Sequence, residues 1–243
     1  MSDELVNKII NDMRDIPTDI PILVTLARIN EPFLDKRIFD IAQKVNEQVP
    51  NASLIFFSNG SPLNDHALDR LGNVERVLVM NISFNDHRRE QYEQTMSISY
   101  ERTLDRLDAL HGRLDIGSIN FAVRVSRVSD GTKADQEFID FVRHRWPRFD
   151  VANYRRANWL GQRTSIISSV PDAGCQQWFT LSFLADGRQT FCCLDSDGRF
   201  GSQKNVRDHH LLELYNMPGR LSLRKNILSR KDVKICSSCS LLA

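Results

Sequence analysis

The distribution of cysteine constrains this chain more than any other feature. All five cysteines of the 243 residues, Cys175, Cys192, Cys193, Cys236 and Cys239, fall in the last third, and the first 174 residues have none. No stretch resembles a secretory leader, so the chain reads as soluble and cytoplasmic. In that compartment a local cysteine cluster points to metal or redox chemistry rather than to disulfide staples.

Cys236-Ser237-Ser238-Cys239 is a Cys-x-x-Cys loop, whose two sulfurs can converge on one centre while the backbone between them turns. Further thiolates from Cys175 and from the Cys192-Cys193 pair would complete four-fold ligation, as either an iron–sulfur cluster or a zinc ion requires. On a strand, neighbours point to opposite faces, so only one of Cys192 and Cys193 can readily face the metal. The other is left as a buried apolar group or a support to the ligands.

The region before the cysteines has a different texture. Short apolar runs at 22–27, 53–57, 77–82, 119–128 and 149–154 predict strands, and polar turns close several of them. Between them lie helical patterns: Ile38, Ile41, Ala42 and Val45; residues 64–71, with Asn and Asp in the first turn; Tyr100, Leu104, Leu107 and Leu110; and residues 136–146. Strands alternating with helices imply an α/β fold with parallel strands and right-handed crossovers. Ligand-binding groups in such folds gather at the C-terminal ends of the strands. The turns Asn30-Glu31, Ser58-Asn59 and Ser83-Asn85 are placed on that rim. An amphipathic helix carrying Leu5, Ile9, Ile10 and Met13 has no strand before it, so either the chain starts mid-unit or this helix caps an incomplete barrel.

After Tyr154 the polar, turn-rich stretch to Gly174 predicts a linker. A hairpin is expected beyond it, with strands over 178–184 and 189–194 around Asp186-Gly187, then a short helix over 209–216.

These cysteine-bearing segments resemble the SPASM/twitch domain of radical S-adenosylmethionine (SAM) enzymes. The resemblance lies in Cys175, Gly187 and Cys192 at their spacing, Phe191-Cys192-Cys193-Leu194-Asp195, Lys204-Asn205-Val206, and Leu212-Glu213-Leu214-Tyr215-Asn216. No cysteine follows the Cys-x-x-Cys, which matches the shorter twitch form. The resemblance implies one auxiliary [4Fe–4S] cluster, with Cys175, Cys192, Cys236 and Cys239 as ligands. Asn30-Glu31-Pro32 is similar to the Gly-Glu-Pro motif of radical SAM barrels, Ser58-Asn59-Gly60 to their Thr-Asn-Gly, and Ile82-Ser83-Phe84 to their Ile-Ser-Leu. Asn158-Trp159-Leu160-Gly161 is similar to an Asn-Trp-x-Gly found before many SPASM domains. Glu31, Asn59 and Ser83 are thereby implied as SAM contacts.

The resemblance divides the chain into a partial radical SAM (β/α) barrel over 1–160 and a small α+β SPASM/twitch domain over 161–243. It implies hydrogen abstraction from a peptide or small molecule, with a flavodoxin or ferredoxin as electron donor. The Cys-x-x-x-Cys-x-x-Cys loop that holds the SAM-cleaving cluster is missing, as is the first barrel strand. One truncation accounts for both, so SAM and a second [4Fe–4S] cluster are expected only of a longer parent. A natural variant that has lost the radical step, or that borrows this cluster from a partner chain, is the other account. Two competing readings stand beside the enzyme: a non-catalytic cluster-binding scaffold and a structural zinc domain with four cysteine ligands.

Lys and Arg total 32 against 31 for Asp and Glu, which leaves no charge field suited to nucleic acid or to a membrane surface. His209-His210, Arg88-Arg89, Arg155-Arg156 and the basic residues of 220–234 are expected to be solvated.

Overall fold

The structure is a computed structural model, and it describes residues 1–163 and 169–241. Residues 164–168, part of the expected linker, lie outside the described set. The chain divides into two compact units: Thr18–Tyr154, and Met1–Pro17 together with Arg155–Ala243.

The first unit is built on a five-stranded sheet: β1 (Ile22–Thr25), β2 (Ala52–Ser58), β3 (Val77–Ser83), β4 (Ala122–Ser129) and β5 (Asp150–Arg155). The strands are ordered β1-β2-β3-β4-β5 across the sheet, and β1 to β4 pair in parallel. Helices fill each connection: α2 (Ile38–Gln48), α3 (Asp65–Gly72), α4 (Arg89–Met96), α5 (Tyr100–Asp115) and α6 (Ala134–Arg145). One face of the strands carries Leu54, Phe56, Met80, Ile82, Val123 and Val125, all buried, as the period of two requires. Asn64 caps α3 by accepting a hydrogen bond from the Ala67 N–H at 2.9 Å. Phe84, just past β3, anchors the core: its ring meets Tyr92, Tyr100, Phe138 and Trp146 at centroid distances of 5.1 to 6.1 Å.

The second unit has little regular structure. The expected hairpin is shorter than its sequence suggested. Residues Gln176–Phe179 wind into a 3-10 turn, and the strand pairing reduces to antiparallel bridges Phe183↔Gln189 and Arg188↔Asn205. Gly187 turns the chain at φ +88°, with the Asn205 side chain where a Cβ would stand, so glycine is needed there. Two short helices follow, α7 (Leu211–Tyr215) and α8 (Pro218–Asn226); α8 has no counterpart in the sequence reading.

The opening helix α1 (Asp3–Met13) packs in this second unit, where the boundary at 160 had placed it with the barrel. Leu5 is buried against Val206 and Leu214, and the buried carboxylate of Asp12 accepts from the Leu211 N–H at 3.1 Å and from Lys8 at 2.7 Å. The apolar stripe without a strand therefore covers α7 and the segment before it. No helix among the described residues is long and apolar enough to cross a membrane.

Candidate functional site

The second unit gathers Cys175, Cys192, Cys236 and Cys239, from stretches of chain up to 64 residues apart by number, around one small hollow. All four are buried and none forms a disulfide. Leu160, Trp178, Phe191 and Leu194 wall the hollow. Cys236 and Cys239 sit on a tight turn in which the Cys239 N–H donates to the Cys236 carbonyl at 2.8 Å, so both thiols reach the same space. Cys175 heads the 3-10 turn that brings Trp178 under it, with the Trp178 N–H on the Cys175 carbonyl at 3.0 Å.

Cys192 and Cys193 lie on a bend rather than on a strand. The Asp195 carboxylate, itself buried, accepts from the Phe191 N–H at 2.9 Å and folds the segment back. Cys192 then faces the hollow, while Cys193 is half-buried and packs behind it, beside Leu160 and Leu194.

Burial raises the thiols of this set: Cys192 to about 12 and Cys236 to about 11, with Cys175 also above its ordinary value. Backbone N–H groups of Leu194 and Asp195 offset part of the rise at Cys192, and that of Gln177 does so at Cys175. Four buried thiols, of which Cys175 and Cys192 have backbone N–H groups turned toward them, form a donor set for a thiolate-ligated metal group, whose positive charge would offset the desolvation of the sulfurs. Among the described residues, no group of three or more His, Cys, Asp or Glu side chains is arranged to hold a single metal ion.

The sequence reading missed the supports of this hollow. Arg220 and Arg230, read as solvated, are only 9% and 1% exposed. Arg220 clamps the two sides of the shortened hairpin, donating to the carbonyls of Thr180, Thr190 and Phe191 at 2.9 to 3.0 Å; burial pulls its pKa below the usual guanidinium value. Arg230 lines the hollow itself and donates to the Leu241 carbonyl. Its Nε and the Trp178 indole Nε1 are buried without a hydrogen-bond partner. The indole lies near enough to lower the Cys236 thiol somewhat, but makes no bond of ordinary geometry with it. A buried donor left unbonded costs about 1–3 kcal/mol.

Asn158 holds the Cys-x-x-Cys loop from outside. Its side chain donates to the Ser238 carbonyl and accepts from the Ser240 N–H at 3.1 Å, while its own N–H donates to Ser240 Oγ at 3.0 Å. The two histidines stay apart from the thiols: His209 pairs with Glu213 and His210 with Asp15.

In the sheet unit the rim also assembles. The Glu31 carboxylate receives the Ser58 hydroxyl at 3.0 Å, the Asn59 N–H at 2.6 Å and the Phe33 N–H at 3.2 Å. Burial raises its pKa, against the pull of those hydrogen bonds. Asn59 contributes its backbone to Glu31, because its side chain closes a turn onto Ser61. Ser83 ends the neighbouring strand, paired with Ser126. Since Ser58 pairs with Ile82, Ser83 points to the opposite face from Ser58. The structure therefore joins Glu31 and Asn59 directly and leaves Ser83 one strand away. An ion network missed in sequence pins the next loop: Arg127, buried at the end of β4, holds Asp86, Asp130 and Asp135.

Comparison with solved structures settles the fold. BtrN in complex with AdoMet and 2-DOIA superposes over 100% of this chain and 81% of its own, at TM-score 0.64 and 15% identity. This chain has the fold of BtrN. Native anSMEcpe with bound AdoMet matches over 92% of this chain and 74% of its own, at TM-score 0.64 and 10% identity. Streptococcus suis SuiB matches over 89% of this chain and 60% of its own, at TM-score 0.62 and 13% identity. No family model and no curated protein sequence matches the chain. The parallel sheet with its helices corresponds to the partial barrel expected from sequence.

Proposed function

We propose that this is an iron–sulfur protein of the radical SAM/SPASM type, holding one auxiliary [4Fe–4S] cluster on Cys175, Cys192, Cys236 and Cys239. The convergence of these four buried thiols on one apolar-walled hollow carries the reading. A zinc ion would draw four sulfurs to about 2.3 Å from a single point, whereas a four-iron core takes its thiolates at separate corners. The residues flanking the cysteines, which resemble a SPASM/twitch domain rather than a zinc ribbon, favour the larger group. When bound, such a cluster supplies one-electron redox chemistry or a place to hold substrate.

The residues of this chain would position and shield it. Asn158 and Arg220 fix the segments that bear the thiols, and Leu160, Trp178, Phe191 and Leu194 keep water from the sulfurs. On the rim of the sheet unit, Glu31 would receive an ammonium group such as that of SAM, with Asn59 beside it; Ser83, at the end of the next strand, faces the other side of the sheet. BtrN and anSMEcpe both bind AdoMet, each in a fold like this one. The substrate class we propose is a peptide or small molecule, and the electron donor a flavodoxin or ferredoxin. Because the sequence has no cysteine before position 175, SAM cleavage is not assigned to these residues alone.

Replacing each cysteine in turn by serine tests the assignment after anaerobic reconstitution. The brown colour of thiolate-to-iron charge transfer should be lost or strongly reduced at 175, 192, 236 and 239, and kept in Cys193→Ser. Colour that survives Cys236→Ser, or that disappears only in Cys193→Ser, would refute it.

A further inference from the structure

We propose that Arg230 and Trp178 donate hydrogen bonds to the sulfur-rich group held in the four-cysteine hollow and thereby raise its reduction potential. The inference rests on the cluster reading above and adds to it two residues that are not ligands.

Two independent observations meet here. The first is position: the Arg230 and Trp178 side chains both line the hollow together with the four thiols. The second is an unmet bonding capacity. Arg230 is 1% exposed and Trp178 3% exposed, yet Arg230 Nε and Trp178 Nε1 have no partner. Elsewhere on Arg230, one terminal nitrogen holds the Leu241 carbonyl, and the backbone N–H donates to the Ala173 carbonyl at 2.9 Å. Buried donors are seldom left unmade in a folded protein. Two of them at the wall of one hollow imply an acceptor inside it. Apart from Gln177, the other residues that line the hollow are apolar side chains and the four thiols, so the acceptor assigned is the thiolate or sulfide of a bound group. Arg230 has no ion pair among the described residues, and its charge acts on Cys175 and Cys236, favouring their ionised forms.

The direction of the effect follows from electrostatics. A four-iron core with four thiolate ligands carries net negative charge, and reduction adds one more unit. A buried guanidinium and N–H donors stabilise the more negative state and raise the potential. Arg220 is also close to Cys192, but its donors are spent on three carbonyls, so it serves the backbone.

The test compares the wild-type full chain with Trp178→Phe, Arg230→Lys and Arg230→Gln, all reconstituted anaerobically with ferrous iron and sulfide. Iron and sulfide per chain report loading, a redox titration followed by electron paramagnetic resonance gives the midpoint potential, and exchange into D2O reports protons coupled to the reduced core. Trp178→Phe keeps the ring packing and should lower the potential with loss of an exchangeable proton coupling. Arg230→Gln, which removes charge and donor together, should lower it further than Arg230→Lys. Loaded variants with wild-type potentials and unchanged couplings would overturn the inference. So would a Trp178→Phe chain unable to load at all, because losing a tuning donor leaves ligation intact. A wild-type chain that takes up no iron or sulfide sinks the cluster reading itself, which is a distinct result.

Discussion

In the sheet unit, shape comes from layers of apolar side chains: strands present Leu54, Phe56, Ile82 and Val125 to helices, and Phe84 ties four aromatic rings together. In the cysteine unit, α1 and α7 form one small apolar cluster, but around the hollow the apolar side chains are interleaved with four thiols and two buried arginines. The first arrangement is self-sufficient, since close-packed hydrocarbon needs no guest. The second keeps ionisable thiols and unmet donors in its middle, and it leans on whatever those groups bind. The contrast separates the part of the molecule that supplies a frame from the part that supplies chemistry.

The largest effect that could break this contrast is removal of the bound group. Stripping it with a chelator under reducing conditions should abolish amide hydrogen-exchange protection around 175–194 and 228–239. Protection in β2, β3 and β4 should stay near its starting level; equal loss in both units would dissolve the distinction. Next, Phe84→Ala should destabilise the sheet unit by about 3–5 kcal/mol in denaturant titrations, with iron content per folded chain unchanged. Asn158→Ala leaves the Ser240 N–H and the Ser238 carbonyl without their partner. The expected loss is about 1–3 kcal/mol, read as faster release of iron to a chelator and with no shift in the unfolding of the sheet.

The smallest effect is acid sensitivity. Burial alone would raise Asp86, but hydrogen bonds from Arg88 and Arg127 outweigh it and hold the carboxyl well below the usual range. A depressed folded-state pKa gives stability that is complete above about pH 4 and drains as pH falls through the lower folded value. The Tm of the sheet unit should therefore fall on acidification below about pH 4, and Asp86→Asn should flatten that slope. An unchanged slope would remove the Arg127 network from the account.

Much of the frame was legible because hydrophobic period reports burial directly. The runs at 53–57 and 77–82 became β2 and β3 almost residue for residue, and Asn64 caps its helix as its position suggested. Arg127 carried a readable signal that went unused: it shares the strand parity of Val123 and Val125, so an arginine stood on the apolar face with acidic residues close by in sequence. The cysteine unit was legible only through its thiols and their spacing. Its hairpin shrank because Gln176–Phe179 wound into a 3-10 turn and Asp195 bent the Cys192 segment, and neither event leaves a periodic trace. Arg220 and Arg230 look like any solvated base in a basic stretch. Only the folded chain shows that one meets three carbonyls and the other lines the hollow between the thiols. Glu31 stands in a turn the sequence marks, but its tie to Ser58 and Asn59 spans two strand ends and depends on sheet register.

The most direct measurement is the metal and sulfide content of the chain purified without oxygen. About four irons and about four acid-labile sulfides per chain are expected, with zinc absent in stoichiometric amount. One zinc per chain and no sulfide, or neither metal at all, would contradict a four-iron cluster on these cysteines.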